Sequence, residues 1–360
     1  MESSQVVQSQ SMKTIFIFGA GASYGAYGGK PRTRSIDLTP LTANLFGHPK
    51  FNTGISKAKN LTNLLEQARI IEGNTFDLEK SLARLIEKRS EERLKSLLDL
   101  RFALHSVIRN TAISGSGTPS LYEDLWYRVK VSFEDGGKVL FVNMNYDTIL
   151  DQAISQSEGA ISSFDAYISS ESWGLVHPHG AISWGYETPK EFAGLNSRTA
   201  ILEKAMAIEN VSLRLIHLKN DFPIENINLL NQNLSSSRIP ALALPVAGTL
   251  EKEKFVSPPE HIEYIKGFAD KFSNLVLIGW RGLDPHILSL ISPKGKRKLK
   301  NIHVVSNSKT GAVSTLDILR QSGFSGENEV AIDGGFENYV KSSEFAQLYP
   351  NPALGNGVRG

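Results

Sequence analysis

A turn of small residues, "GAGAS" at positions 19–23, directly follows the apolar run "KTIFIF". Glycines at the carboxyl end of a strand allow backbone N–H groups to approach a phosphate, and a helix that begins there adds a favourable dipole. Gly19, Ala20, Gly21 and Ser23 are therefore candidate ligands of a nucleotide phosphate. The alternative is a tight strand-to-helix turn that binds nothing, because a short glycine pattern alone is weak support for a ligand.

The turn differs from the dinucleotide-binding fingerprint of dehydrogenases, in which glycines occupy the first, third and sixth positions. Counted from Gly19, the sixth position is Tyr24, and the third glycine, Gly25, comes one residue later. No second strand with an acidic end follows about 20 residues on, where the fingerprint requires it; Asp37 lies in a loop-like stretch. The pattern thus favours phosphate binding and disfavours hydride transfer.

The stretch "NMNYD" places Asn143, Asn145 and Asp147 at alternate positions after the apolar run "VLFV". If the chain stays extended, these three side chains lie on one face. An amide both donates and accepts hydrogen bonds, so Asn145 could hold a water molecule or a ribose hydroxyl. Asp147 has an alternative role as the cap of the helix predicted over "TILDQAI".

Two histidines lie close together in "HPHG", at positions 177 and 179. Histidine is the natural general base near neutral pH, and His179 is the candidate. A buried structural histidine is the alternative for both, and more so for His177. A metal site would need a distant third ligand such as His286, because the chain has no cysteine. We therefore expect no metal.

Two further apolar runs end in polar residues. In "GWRGLDPHI", Gly279 permits close backbone approach, and Asp284 and His286 could contact a ligand or cap the next helix. The run "VVSNS" ends with Ser306 and Asn307, where ribose hydroxyls are often held. Each pattern alone is weak, but four strand ends of the same design indicate one common site.

The elements that would position these residues form a parallel sheet. Apolar strands alternate with helical periodicity, which predicts an α/β, Rossmann-like fold with helices on both faces. The predicted strands are 14–18, 138–142, 274–278 and 301–305. Ligands bind beyond the carboxyl ends of such strands, where all the polar clusters would meet.

The domain organisation follows from the composition of the segments. Residues 13–335 form the predicted catalytic domain, with an inserted helical layer or subdomain near 70–130 and a variable insertion near 187–240. Residues 1–12 are expected to be disordered because they are rich in Ser and Gln. Residues 336–360 are expected to form a poorly ordered tail.

Charge and hydropathy exclude several classes of protein. Lys plus Arg number 39 against 37 for Asp plus Glu, so net charge gives no reason to expect a nucleic-acid or membrane partner. The basic stretch "PKGKRKLK" at 293–300 is better explained as a solvated loop than as a nucleic-acid contact. The start lacks an apolar signal segment, and no run approaches the roughly 18 apolar residues that span a bilayer. A cytoplasmic protein is expected.

These motifs, in their order along the chain, resemble the sirtuin family, and within it a bacterial branch found in antiviral defence proteins. "GAGAS" resembles the phosphate loop, "NMNYD" the motif of Thr-Gln-Asn-x-Asp type, and "HPHG" the segment with the catalytic histidine. "GWRGLDPHI" resembles the Gly-Tyr-Ser…Asp-x-His segment of the defence branch, and "VSNS" the strand end at the adenosine ribose. The resemblance covers residues 14–308, although each motif is short.

The resemblance implies a role for each candidate residue in binding NAD. Asn145 would position the ribose or the attacking water, and His179 would be the base. Asp147 would orient the ribose. The remaining binding residues would hold the pyrophosphate and the rest of the nucleotide: Gly19, Ala20, Gly21, Ser23, Gly279, Asp284, Ser306 and Asn307.

The departures from the family also bear on the reaction. Sirtuin deacylases carry a zinc module on four cysteines that shapes the peptide groove, and this chain has no cysteine. The deacylase loop of Gly-Ile-Pro-Asp-Phe-Arg type is replaced by "GGKPRTRSIDLTPLT", in which Arg32 and Arg34 are candidates for its role. Without that groove, water is the expected acceptor. The resemblance then implies hydrolysis of NAD to nicotinamide and ADP-ribose without a metal.

The resemblance also implies a cellular role as the effector that depletes NAD in abortive infection, a bacterial antiphage response. Such an activity must be held off, so we expect a homo-oligomer or control by a partner chain. A helicase-like ATPase or an Argonaute-like protein would be such a partner. The alternative function is a catalytically silent regulatory or scaffold subunit that binds NAD or ADP-ribose.

Overall fold

The computed structural model describes ten segments of the chain, and the helices and strands of the fold are those of these segments. They are residues 12–27, 91–114, 119–187, 201, 203–204, 207–208, 213–218, 238–244, 255–293 and 297–350. Arg32, Arg34 and Asp37, together with residues 294–296 of the basic stretch, lie outside the described residues.

The predicted parallel sheet is confirmed and has six strands. In chain order the nine strands are β1 (Lys13–Phe18), β2 (Lys138–Asn143), β3 (Trp173–Val176), β4 (Gly180–Glu187), β5 (Arg214–His217), β6 (Arg238–Leu242), β7 (Asn274–Ile278), β8 (Leu299–Val305) and β9 (Gly326–Ile332). The main sheet has the order β3-β2-β1-β7-β8-β9, and all its pairs are parallel. This is the doubly wound order, which reverses between β1 and β7 and leaves a crevice there.

The central strand β1 is an unbroken apolar run because both of its faces are covered. Phe16 and Phe18 pack on one side among the aromatic rings of Tyr122 and Phe141. Ile15 and Ile17 pack on the other side, in a second core cluster of mainly aliphatic residues. Helices on both faces build these two layers, which is the predicted arrangement.

The helices that cover the sheet begin at recognisable signals. They are α1 (Ala20–Tyr24), α2 (Glu91–Ser114), α3 (Leu121–Val131), α4 (Ile149–Glu158), α5 (Pro259–Ala269), α6 (Pro285–Ile291), α7 (Lys309–Gln321), α8 (Gly335–Lys341) and α9 (Ser343–Leu348). Ser120 and Glu123 form a capping box at the start of α3. Pro259 occupies the first turn of α5, where its missing N–H costs nothing.

A smaller antiparallel sheet of order β5-β4-β6 starts directly after "HPHG". It packs against α2, with Phe102 of the helix and Ile239 of β6 in one apolar cluster. Helices α2 and α3 lie in the segment for which the sequence predicts an inserted helical layer. The predicted variable insertion near 187–240 contains β5 and the start of β6.

The C-terminal segment is ordered where the structure describes it, so the prediction of a poorly ordered tail from residue 336 is wrong as far as residue 350. Helices α8 and α9 bury Tyr339 and Phe345 in the core. The Arg128 guanidinium of α3 donates three hydrogen bonds to the carbonyl oxygens of Val340 and Tyr349. It also stacks on the ring of Phe345, 4.2 Å from its centre.

Candidate active site at the carboxyl ends of the strands

The glycine turns after β1 and β7 pack directly against each other at the crevice. Gly19 donates its N–H to the carbonyl oxygen of Ile278 at 3.0 Å, and Gly21 donates to that of Gly279 at 3.1 Å. Gly279 has a φ of +64°, and a Cβ on it would lie 2.3 Å from the backbone nitrogen of Ala22. Close backbone contact at the switch point therefore requires glycine here.

These contacts match the alternative explanation of the "GAGAS" pattern, a tight turn that needs glycine for its own packing. The N–H groups of Gly19 and Gly21 are engaged within the protein, and that of Ala22 donates to the carbonyl oxygen of Gly19. Ser23 is buried, and its hydroxyl lies 3.3 Å from the Tyr122 hydroxyl. Ala20 and Gly21 line the cleft described below.

The amide of Asn145 is fixed by the same turn. Its Nδ2 donates to the carbonyl oxygen of Gly19 at 2.9 Å and to the Ser23 hydroxyl at 2.8 Å. Because a carbonyl oxygen can only accept, this contact assigns the amide nitrogen. The amide oxygen is then the group that can accept a hydrogen bond from a water molecule or a hydroxyl. Asn145 is 7% exposed, so its position is set by the protein.

Asn143 and Asp147 support the turn that carries Asn145. The side-chain oxygen of Asn143 accepts the backbone N–H of Asn145 at 3.1 Å. Oδ1 of Asp147 accepts the N–H of Ile149 at 3.2 Å, as the capping alternative predicts. Asp147 is fully buried, and burial raises the pKa of its carboxyl. Its Oδ2 has no hydrogen-bond partner among the described residues.

His179 forms a pair with Asp284. Nε2 of His179 lies 3.2 Å from Oδ2 of Asp284, while Oδ1 of Asp284 accepts the N–H groups of His286 and Ile287. One carboxylate thus caps α6 and orients the imidazole. If Asp284 accepts the proton on Nε2, the unprotonated Nδ1 of His179 can act as a base. The side chain of His179 is 20% exposed, so a ligand can reach it.

His177 has the structural role that the sequence left open. It is fully buried, with Nε2 3.0 Å from Oδ2 of Asp151 and Nδ1 3.3 Å from the carbonyl oxygen of Asn145. Burial acts to lower the pKa of His177, but the Asp151 carboxylate and the Asn145 carbonyl outweigh it and raise the pKa overall. The Tyr167 hydroxyl also donates to Asp151. His177 therefore fixes the position of the Asn145 turn through its contact with the Asn145 carbonyl oxygen.

A cleft of about 410 Å³ opens at the same edge of the sheet. Its walls include the apolar side chains of Trp280, Leu283, Ile318 and Phe336. Gly279 and the end of β8, with Ser306 and Asn307, also line it. The size is that of a small-molecule pocket, and mostly apolar walls with a few polar groups are typical of one.

The structure brings the predicted residues to one edge in two groups. Asn145 contacts the turn at Gly19 and Ser23, while His179 contacts Asp284. The cleft on the β8 side is lined by neither Asn145 nor His179, as far as the described residues go. The loop from Gly279 to Asp284 connects the two groups, because its first residue lines the cleft and its last meets His179.

Three residues of this region were not predicted from the sequence. Tyr122 is on the apolar face of a predicted helix, and nothing in the sequence indicated that its hydroxyl contacts that of Ser23. Asp151 could have been found as a carboxylate on the buried side of "TILDQAI". Arg281 was inside a quoted motif and, among the described residues that line the cleft, is the only cation.

Of three comparisons with known proteins, only the one with solved structures found similar proteins. No protein-family model matches the sequence, and no curated protein matches it. Similar solved structures include a Sir2 homolog–NAD complex, with 10% identity, a TM-score of 0.43, and coverage of 94% of this chain and 90% of that one. A Sir2 complex with a p53 peptide and NAD+ has 12% identity, a TM-score of 0.39 and 94% coverage of both chains. The identities and TM-scores are low, so the strand order of this chain itself defines its fold class.

The described residues lack the features of a metal centre and of a membrane-spanning helix. No group of three or more His, Cys, Asp or Glu side chains suited to a metal ion occurs among them. Within the same residues, no helix has both the length and the apolar character needed to cross a membrane.

Proposed function

We propose that this protein is an NAD glycohydrolase, which cleaves the nicotinamide–ribose bond with water to give nicotinamide and ADP-ribose. The observation that carries this proposal is the His179–Asp284 pair at the same sheet edge as the fixed Asn145 amide. A base with an oriented imidazole and a fixed amide are the groups that this hydrolysis needs. The resemblance of the motifs to the sirtuin family selects NAD as the substrate.

In this proposal the cleft takes the adenosine half of the dinucleotide. Its apolar walls suit a purine base, and Ser306 and Asn307 suit the hydroxyls of the adenosine ribose. The nicotinamide half then extends past the Gly19–Gly21 turn toward Asn145 and His179. Asp147 supports the turn from its buried position.

The chemistry balances without a further reactant. The glycosidic C1′–N bond breaks, and its electron pair neutralises the positive charge of the nicotinamide ring, so no acid is needed at the leaving group. The ribose becomes oxocarbenium-like, as in glycoside hydrolysis. A water molecule adds to C1′ and gives its proton to Nδ1 of His179, while the Asp284 carboxylate stabilises the imidazolium that forms. The Asn145 amide oxygen holds the water or a ribose hydroxyl in place.

The test compares turnover with binding. The purified chain is incubated with NAD beside Asn145→Ala and His179→Ala, and ADP-ribose affinity is measured by calorimetry. We expect each variant to lose about a hundredfold or more in kcat, the usual contribution of a general base, while ADP-ribose still binds. His286→Ala is the matched control, because His286 is an exposed histidine of the same loop–helix region and should keep full activity.

The runner-up is a silent subunit that binds NAD or ADP-ribose without cleaving it. The near-complete burial of Asn145 favours that alternative, since a residue at 7% exposure has little contact with a ligand. A wild-type chain that binds NAD and never cleaves it, alone or with a partner chain, would establish the silent subunit and overturn the hydrolase.

We propose as the cellular role NAD depletion in a bacterial antiphage, abortive-infection system. This part rests on the resemblance of the motifs alone. It requires control by self-association or by a partner such as a helicase-like ATPase or an Argonaute-like protein. A purified monomer with full constitutive activity would contradict that control.

A further inference from the structure

The phosphate groups of a dinucleotide need partners that the glycine turn does not supply. Glycine turns usually bind phosphate through free backbone N–H groups. Here the N–H groups of Gly19, Gly21 and Ala22 donate to carbonyl oxygens of the protein, and Gly279 donates to Val305. Most backbone donors of the two turns are therefore occupied by carbonyl oxygens of the protein and are not available to an anion.

Arg281 supplies the missing positive charge. It is exposed, lines the cleft and is its only charged side chain among the described residues. No described residue forms a salt bridge or hydrogen bond with its guanidinium. A guanidinium binds phosphate oxygens in a two-pronged geometry, which makes it suited to a phosphate diester or anhydride.

The loop that carries Arg281 is held at both ends. Gly279 and Gly282 have φ angles of +64° and +67°, which only glycine adopts readily, and they turn the chain on either side of the arginine. The carbonyl oxygen of Gly279 accepts the N–H of Gly21, and Asp284 is fixed by α6 and His179. Arg281 thus lines the cleft from the loop that ends at Asp284, the partner of His179.

We propose that Arg281 binds the diphosphate of the dinucleotide and is the principal phosphate ligand of this site. The inference rests on the proposed function, because it takes the adenosine half to occupy the cleft and the nicotinamide ribose to reach His179. A diphosphate that joins these halves must pass the loop between them. Arg281 is a binding residue in this account and takes no part in proton transfer.

The experiment measures binding of ADP-ribose, adenosine and NADP by calorimetry to the full chain, to Arg281→Gln and to Arg281→Lys. A lost charged hydrogen bond lowers affinity by about tenfold to a hundredfold, and we expect that loss for ADP-ribose with Arg281→Gln. Adenosine affinity should change by less than about twofold, and Arg281→Lys should restore part of the loss. Arg320→Gln is the matched control, because Arg320 lies at the far end of α7 in exposed ion pairs.

Each other outcome overturns the proposal in a recognisable way. Unchanged ADP-ribose affinity in Arg281→Gln would exclude Arg281 as a phosphate ligand. A loss for NADP alone would assign the arginine to a 2′-phosphate and not to the diphosphate. Equal losses for adenosine and ADP-ribose would show a collapsed cleft. If the wild-type chain does not bind ADP-ribose, this inference fails by itself, and NAD turnover by the same chain decides the proposed function separately.

Discussion

At the scale of single residues, the role of His179 depends on a partner from a distant part of the chain. An imidazole acts as a base only if one nitrogen is unprotonated and faces the substrate. Asp284 meets that need, because its Oδ2 lies 3.2 Å from Nε2 and its Oδ1 is anchored on α6. In the proposed reaction, Asp284 is therefore a positioning residue that acts through His179.

Asp284→Asn tests this role with little change to the structure. Asparagine is as good a helix cap as aspartate, so α6 should keep its stability. The amide stabilises an imidazolium less well than a carboxylate, so we expect kcat to fall by about tenfold or more with little change in KM. The pH profile of kcat should shift as well. If Asp284→Asn kept the kcat and the pH profile of the wild-type chain, Asp284 would have no part in the function of His179.

At the scale of elements, the site depends on two turns that meet through their backbones. Gly279 joins the end of β7 to the Arg281 loop and touches the turn after β1. Any side chain at this position would separate the turn that Asn145 contacts from the loop that leads to Asp284, the partner of His179. The same close approach of the two turn backbones is therefore required for the fold and for the site.

Gly279→Ala should destabilise the chain strongly and abolish ligand binding. Its Cβ would lie 2.3 Å from the nitrogen of Ala22, and the backbone has a positive φ. Overpacking and left-handed strain together cost about 2–4 kcal/mol of unfolding free energy. Urea denaturation measures this cost.

Gly267→Ala is the matched control, because this helical glycine has open space around its Cβ position. The exchange should stabilise the chain by about 0.5–1 kcal/mol. Equal stability of the two variants would contradict the close contact between the turns.

At the scale of the whole molecule, the C-terminal helices α8 and α9 complete the hydrophobic core that supports the site. Arg128 donates three hydrogen bonds to carbonyl oxygens at the ends of α8 and α9, and Phe336 of α8 lines the cleft. Helix C-termini carry unsatisfied carbonyl groups, and a cation there satisfies several at once. The C-terminal segment thus affects both global stability and the wall of the cleft.

Arg128→Ala should lower the free energy of unfolding by about 2–3 kcal/mol, since charged hydrogen bonds to buried carbonyl groups are lost. Urea denaturation gives the value, and limited proteolysis should show earlier cleavage near the C-terminus. Lys130→Ala is the control on the same helix, because its ion pair with Glu158 is exposed and worth at most about 1 kcal/mol. Equal effects of the two substitutions would contradict the anchoring role of Arg128.

Four strands of the main sheet, β1, β2, β7 and β8, could be predicted because they contain continuous apolar runs, such as "FIFG" and "VLFV", that end at polar turns. The edge strands β3 and β9 were not among the strands predicted for this sheet, and β9 has the largely polar sequence "GENEVAI". Two further features could not be predicted. The small β5-β4-β6 sheet has short strands without clear alternation, and α8 and α9 precede a stretch, "NPALGNG", whose composition suggested a tail. Contacts such as His179–Asp284 and Ser23–Tyr122 depend on how distant segments pack, which no local pattern records.

The most direct test of the account is the fate of NAD incubated with the purified wild-type chain, with nicotinamide and ADP-ribose separated by chromatography. The account predicts that both products form in equal amounts and that His179→Ala forms neither while His286→Ala forms both. Intact NAD after prolonged incubation with a chain that binds it, or products formed equally well by His179→Ala, would contradict the central claim.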